Sequence, residues 1–573
     1  MKRFAIRLTL STIMFVMAAC GPSRPARTAT PIPDGDMLVV SFSYTMDERF
    51  GRDDNANDML DLPNTCEYVH NLPPGGCANG IPTEPTKFNV TFNGEGRILT
   101  YLAGQPLKKY EFVADTFKWD ISGPGIDGSL QQEQSQPQWS VSLQEGEYTV
   151  TLTVEGHYGG GQTAVNSFAK KIKVIDMLIV SIGDSYASGE GNPDKVWVVG
   201  YPDGLPKYEP VWADDGVSSG IQIWNLLTTR VGMDHYRSHR STLAGPAQAA
   251  LAIEHAQAHS SVTFVSTAAS GATISKGLLG TYDGIEDPFQ LPDMDAQIDQ
   301  VKNLVENRTI DYLFVSIGGN DIGFTNIIKS LILHGGAEGL GGIGCVSGSK
   351  DPDYIYCLIN IAIHDGNWNH VEDAFIVDPF VNMGNTTGLD ELNSHLFSDL
   401  NQAIKDKLNV DAIWITSYPD PFYYKDNNGQ EYWCPEIMGG ITSLGKVDLD
   451  ELKWAQENAL LPLNQAVHDA AEAYGWNYVD EIENRFKGHG YCADQPYAPI
   501  DYPGNPFPSS VQPWPTSSTV RWFRHARESV VIQDGGDRAS TTGTMHPNEF
   551  GHQAIKEELS GLIIELLNRF NPP

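Results

Sequence analysis

The sequence contains no Cys-x-x-Cys pair and no His-Glu-x-x-His segment, so the usual zinc-ligand spacings are absent and neither a metal nor a cofactor is expected. Positive charge is scarce: 38 Lys and Arg face 72 Asp and Glu, a formal net charge of −34. Without a basic surplus there is nothing to displace counterions from phosphates, which excludes nucleic acid as an expected partner. After residue 20 no apolar run approaches the ~20 residues that span a bilayer. What remains is ordinary globular material. Hydrophobic residues make up 41% and charged residues 19% of 573 positions, enough chain for two or more cores.

The first twenty residues read as a targeting segment rather than as part of a fold. Lys2, Arg3 and Arg7 supply a positive start, and an apolar run follows from Leu8 to Val16. Met17-Ala-Ala-Cys20 then resembles a bacterial lipobox, whose cysteine is lipidated and becomes the mature N-terminus. Residues 21–35 follow as a Pro-rich tether. The resemblance implies a protein of the bacterial cell envelope, lipid-anchored at Cys20 and periplasmic or at the cell surface. A plain secretory signal is the alternative.

Setting Cys20 aside leaves six cysteines, an even number in a chain read as exported, which favours disulfides. Short loops close most easily, so the preferred pairing is Cys66 with Cys77, Cys345 with Cys357 and Cys434 with Cys492. Other pairings stay open.

Two folding grammars follow one another. Over residues 36–176 short alternating runs such as Phe88-Asn-Val-Thr-Phe and Tyr148-Thr-Val-Thr-Leu-Thr-Val are separated by Gly, Pro and Asp clusters. That pattern predicts an all-β sandwich. The pieces Phe117-Lys-Trp-Asp-Ile-Ser-Gly and Glu145-Gly-Glu-Tyr-Thr-Val resemble an immunoglobulin-like module of the PKD type, either a spacer or a glycan-binding unit. Over residues 177–573 the apolar runs stop alternating: Leu178-Ile-Val-Ser-Ile, Val262-Thr-Phe-Val, Tyr312-Leu-Phe-Val-Ser-Ile and Ala412-Ile-Trp-Ile-Thr. Helical patterns lie between them at 242–258, 294–306, 389–408 and 449–474, with a last one at 549–570. Unalternating strands that alternate with helices predict a parallel sheet covered on both faces, an α/β fold.

Chemistry concentrates where those strands end. Gly183-Asp-Ser-Tyr-Ala187 follows the first buried strand, where Gly183 permits a sharp turn and the Ser185 N–H sits free at a helix start. The elbow pattern Gly-x-Ser-x-Gly is not met there; Gly216-Val-Ser-Ser-Gly220 meets it, but after an acidic loop instead of a strand. Ser266-Thr-Ala-Ala-Ser-Gly271 follows the second strand and offers a close backbone approach at Gly271. Ser316-Ile-Gly-Gly-Asn320-Asp follows the third, and the Asn320 amide is a neutral donor for a developing negative oxygen. Gly543-Thr-Met-His546-Pro precedes the last helix and suits a rigidly held base. Each block alone reads as a turn.

In that order the four blocks resemble the SGNH hydrolase family, also called GDSL. The longer run Ser185-Tyr-Ala-Ser-Gly-Glu-Gly-Asn192 and His239-Arg-Ser241 are similar to its lipase-like branch. The resemblance implies a flavodoxin-like α/β/α sandwich and a serine ester hydrolase. It implies Ser185 as nucleophile, His546 as base, and an oxyanion hole of the Ser185 and Gly271 N–H groups with the Asn320 amide. The family commonly carries Asp three residues before its His, and here that position is Gly543. Either the Gly543 carbonyl or a carboxylate such as Asp537 is expected to orient the imidazole. The expected substrates are acyl esters of lipids or small esters. An acetyl-esterase acting on glycans, and an inert lipid-anchored envelope binding protein, stand as alternatives.

Overall fold

The computed structural model describes residues 35–47, 87–102, 105–159, 161–193, 237–241, 243–285, 292–305, 307–323, 381–382, 386–425, 428–434, 436–438, 446–493, 520–524, 529 and 542–570. Cys20, Cys66, Cys77, Cys345, Cys357, Asp537 and the Gly216–Gly220 segment lie outside them.

The first eight strands are β1 (Gly35–Met46), β2 (Phe88–Leu102), β3 (Gln105–Tyr110), β4 (Phe112–Ser122), β5 (Leu130–Gln134), β6 (Gln138–Leu143), β7 (Gly146–Tyr158) and β8 (Gln162–Val174). They form two four-stranded antiparallel sheets, one ordered β1-β2-β3 with β6 also on β2, the other β5-β4-β7-β8. Period-two alternation explains the layering. In β7 the side chains of Tyr148, Val150, Leu152 and Val154 are buried, while the residues between them face outward or sit half-buried. The inward faces of both sheets meet in one core around Phe42, Phe92, Trp119 and Leu152. Each such side chain contributes about 1.5–3 kcal/mol by leaving water.

The parallel sheet begins one residue after β8. Its strands are β9 (Asp176–Gly183), β10 (Ser261–Ser266), β11 (Ile310–Ser316), β12 (Val410–Thr416) and β13 (Asn477–Val479). They lie in the order β10-β9-β11-β12-β13 with every pairing parallel. By position along the chain this is 2-1-3-4-5, the doubly wound order in which the winding reverses between the first and third strands. All eight residues of β9 and all six of β10 are buried, as expected with helices on both faces.

The helices introduced by this sheet are α1 (Ser185–Ser188), α2 (Gly245–Ala256), α3 (Gln297–Val305), α4 (Phe397–Lys407), α5 (Leu461–Tyr474), α6 (Glu481–Phe486) and α7 (Glu549–Phe570). Side chains of α2, α6 and α7 close over Ser181, Phe314 and Thr416 on one face. On the other, α4 packs against α3 and α5. Among the described residues no helix is long and apolar enough to cross a membrane.

The two units meet at the amino edge of the parallel sheet. Asp176 is 2% exposed there, and its carboxylate accepts hydrogen bonds from Ser261 Oγ at 2.7 Å, Thr263 Oγ1 at 2.6 Å and the Arg308 guanidinium at 2.6 Å. Its backbone N–H donates to Glu145 of the sandwich at 2.8 Å. Beside it the Met46 N–H donates to the Ala258 carbonyl at 2.9 Å, and the Tyr44 and His259 rings lie 4.4 Å apart. Elsewhere Cys434 and Cys492 are disulfide-bonded, as the neighbour pairing expects, with their Cα atoms 5.7 Å apart. The bridge joins the loop after β12 to the segment after α6.

Candidate active site

Strand β9 ends in a turn that only glycine fits. Gly183 has φ +140°, and a Cβ there would lie 2.1 Å from the Ser316 carbonyl oxygen. The neighbouring Asp184 N–H donates to that same carbonyl at 2.8 Å, stitching the turn to β11. Gln297 of α3 grips Gly183 from the other side. Its Oε1 accepts the Gly183 N–H and its Nε2 donates to the Gly183 carbonyl, both at 2.8 Å. Asp184 then caps α1 by accepting the Tyr186 N–H at 3.0 Å, which leaves Ser185 as the first helical residue.

Asp184 is fully buried, and burial pushes its carboxyl up to about 7 against the opposing pull of the Tyr418 hydroxyl and the Tyr186 N–H. Tyr418 donates to Asp184 and accepts the Gly319 N–H at 3.0 Å, so one hydroxyl links the elbow to the loop after β11. Nothing in the local sequence marks Gln297 or Tyr418 for these tasks. Both act across about a hundred residues or more of chain.

The imidazole arrives from the far end of the chain. His546 Nε2 lies 2.8 Å from Ser185 Oγ, and both side chains are nearly buried. His546 Nδ1 lies 3.2 Å from the Thr544 carbonyl. A carbonyl only accepts, so Nδ1 carries the proton and Nε2 presents its lone pair to the serine hydroxyl. The orienting carbonyl is therefore that of Thr544 and not that of Gly543, whose oxygen accepts the His546 backbone N–H at 3.0 Å. The physical reason is Met545, whose φ of +65° turns the chain so that the carbonyl two residues back faces the ring. That left-handed backbone costs of order 1–3 kcal/mol. It is held by the Tyr186 hydroxyl donating to the Met545 carbonyl at 3.1 Å and by Arg524, whose N–H donates to the His546 carbonyl at 2.7 Å.

Gly271 and Asn320 come to the same edge of the sheet. Strands β10 and β11 flank β9, so the loops bearing Gly271, Ser185 and Asn320 emerge side by side at the carboxyl ends, where the winding reverses. Gly271 has φ +82°, and a Cβ there would meet the Tyr282 hydroxyl at 2.3 Å. Asn320 donates one amide hydrogen to the Ala272 carbonyl at 3.0 Å, leaving the second for another acceptor. Beside it Asp321 accepts the Ile274 N–H at 3.0 Å, and burial pushes its carboxyl up to about 7. A hydroxyl, a neutral imidazole and clustered amide donors form a centre able to attack a carbonyl carbon and hold the resulting negative oxygen.

No family model matches the chain, and no protein of curated function matches it. Among solved structures it is similar to a protein provisionally named an arylesterase, from Agrobacterium tumefaciens str. C58. The identity is 11% and the TM-score 0.22, over 68% of this chain and 100% of that one. It is also similar to a carbohydrate esterase whose active site is described as displaying divergent catalytic and non-catalytic binding functions. There the identity is 12% and the TM-score 0.14, over 68% of this chain and 91% of the other. At such scores neither likeness carries weight.

Proposed function

We propose that this chain is a serine ester hydrolase of the SGNH type, cleaving carboxylic esters of lipids or small esters. The observation that carries the reading is the 2.8 Å contact between Ser185 Oγ and His546 Nε2. In the proposed reaction Ser185 Oγ attacks the ester carbonyl carbon as His546 Nε2 takes the hydroxyl proton. The carbonyl oxygen becomes an oxyanion held by the Ser185 and Gly271 N–H groups and the Asn320 amide. Collapse breaks the bond to the alcohol oxygen, which leaves with the proton from His546. Water then attacks the acyl-serine with His546 again as base, releasing the acid and restoring Ser185. Throughout, the Thr544 carbonyl keeps Nδ1 protonated, and its hydrogen bond strengthens as the ring becomes charged.

The test is a series of p-nitrophenyl esters of rising chain length, assayed on wild type and Ser185→Ala. We expect hydrolysis of at least one ester, reduced by about 10³-fold or more in Ser185→Ala. A preference for long chains supports a lipid substrate and a sharp preference for acetate the acetyl-esterase. Hydrolysis unchanged by the substitution discards the Ser185 assignment. For the sandwich we favour the spacer role. It joins at the amino edge of a sheet whose opposite edge carries Ser185, roughly 25 Å away along β9.

A further inference from the structure

The nucleophile's own block contains a second buried acid. Glu190 is 0% exposed, and both of its carboxylate oxygens are occupied. Oε2 accepts the Ser270 hydroxyl at 2.6 Å and lies 2.8 Å from His239 Nδ1, while Oε1 accepts the Thr542 hydroxyl at 2.9 Å. These partners come from three separate loops. Ser270 precedes the candidate oxyanion residue Gly271, and Thr542 lies on the loop that carries His546.

The backbone beside Glu190 runs against that same loop. Gly191 has φ +89°, and a Cβ there would lie 3.0 Å from His546 Cβ and 2.5 Å from the Pro547 carbonyl oxygen. The Gly191 carbonyl accepts Arg524 Nε–H at 2.8 Å. His552 accepts the Gly245 N–H on Nδ1 at 3.1 Å, so its other nitrogen is the donor, 3.3 Å from the Glu190 carbonyl.

A buried carboxylate is expensive unless it is paired and hydrogen-bonded, and this one is both. Burial works against its charge. The charge and hydrogen bond of His239, then the charge of His546 and the Ser270 hydroxyl, overcome that and hold the carboxyl well below the usual range. The attraction between Glu190 and His546 runs both ways. At His546 it adds to the Thr544 carbonyl, a neutral acceptor that stabilises an imidazolium less than a carboxylate does.

We infer that Glu190 is a positioning residue that supplies negative charge favouring the His546 imidazolium. The inference rests on the proposed Ser185–His546 reaction for its role, but the charge coupling itself is measurable without turnover. The experiment follows the His546 imidazole by nitrogen-15 spectroscopy of the histidine-labelled full chain, with His546→Gln assigning the resonance. In Glu190→Gln the titration midpoint falls by roughly one pH unit, kcat falls roughly tenfold and KM stays within about twofold. Glu190→Asp keeps the charge and restores the midpoint.

Tyr186, His552 and Arg524 do not mimic this shift. Burial holds Tyr186 far above the window, burial pushes His552 down to about 4, and Arg524 stays charged. Asp184, near 7, is common to both proteins and cancels in the comparison. An unmoved midpoint in Glu190→Gln, or equal shifts in the Gln and Asp variants, overturns the inference.

Should Glu190→Gln fail to fold, His239→Asn asks the question with the opposite sign. Asn still donates to Glu190, tolerates the left-handed backbone at this position (φ +48°), and removes the imidazole that offsets the carboxylate. The midpoint then rises, and an unmoved one overturns the inference. Hydrolysis of p-nitrophenyl acetate is recorded alongside. A moved midpoint with no hydrolysis sinks the proposed reaction alone, and hydrolysis with an unmoved midpoint sinks only the role of Glu190.

Discussion

At the scale of single residues, the site is built on positions where one side chain alone fits its surroundings. Gly183 and Gly271 would each collide with oxygen atoms if they carried a Cβ, at 2.1 Å and 2.3 Å. Asp184 has a different constraint, a helix cap held in full burial with its carboxyl raised to about 7. The sign of its effect on stability follows. Between about pH 4 and 7 the folded protein keeps this proton while the unfolded chain releases it, so the folded state binds more protons and loses stability as pH rises through that window. Asp184→Asn removes the effect. Its melting temperature relative to wild type should climb from about pH 4 to about pH 7, as thermal unfolding across that range would show. A constant difference would mean that Asp184 is already ionised when folded.

The residues nominated from sequence at this scale were those whose local pattern announces a task. Ser185, Gly271 and Asn320 each sit in a Gly-containing turn just past a buried apolar run, and His546 sits beside a Pro at a helix start. Tyr418, Gln297 and the Thr544 carbonyl carry no such mark, because their roles arise from contacts across the fold or from one backbone angle at Met545. Glu190 and His239 stand out in the sequence only as members of longer runs, Ser185–Asn192 and His239–Ser241. Their pairing, 49 residues apart, appears once the loops are packed.

At the scale of elements, periodicity separated the two kinds of strand. The alternation of β7 and the unbroken burial of β9 follow from one exposed face versus none. The final helix spans Glu549–Phe570, matching its sequence pattern end to end. Strand β13 was not legible: it is three residues long and only Val479 is buried, too little for a period to show. Helix α6, six residues, was missed for the same reason. The bridge between Cys434 and Cys492 closes a loop with a sequence separation of 58 and braces the connections around β13 and α6. Replacing both cysteines with Ala should lower stability by about 2–4 kcal/mol in denaturant unfolding. An unchanged midpoint would show that packing alone secures those loops.

At the scale of the whole molecule, the sandwich and the α/β unit are joined through a single residue between β8 and β9, and Asp176 fastens that junction with Ser261, Thr263 and Arg308. The arrangement sets the sandwich at the amino edge of the sheet and turns the carboxyl edge away from it. The chemistry at that edge depends on segments from both ends of the α/β unit. Ser185 and His546 are 361 residues apart in sequence and adjacent in the fold. The central claim is that this juxtaposition makes one serine hydroxyl nucleophilic. It is tested most directly by treating the full chain with a fluorophosphonate and locating the adduct by peptide mass spectrometry. The account predicts one modified residue, Ser185, with labelling lost in His546→Ala. Labelling of another serine, or labelling of Ser185 at an unchanged rate without His546, would contradict it.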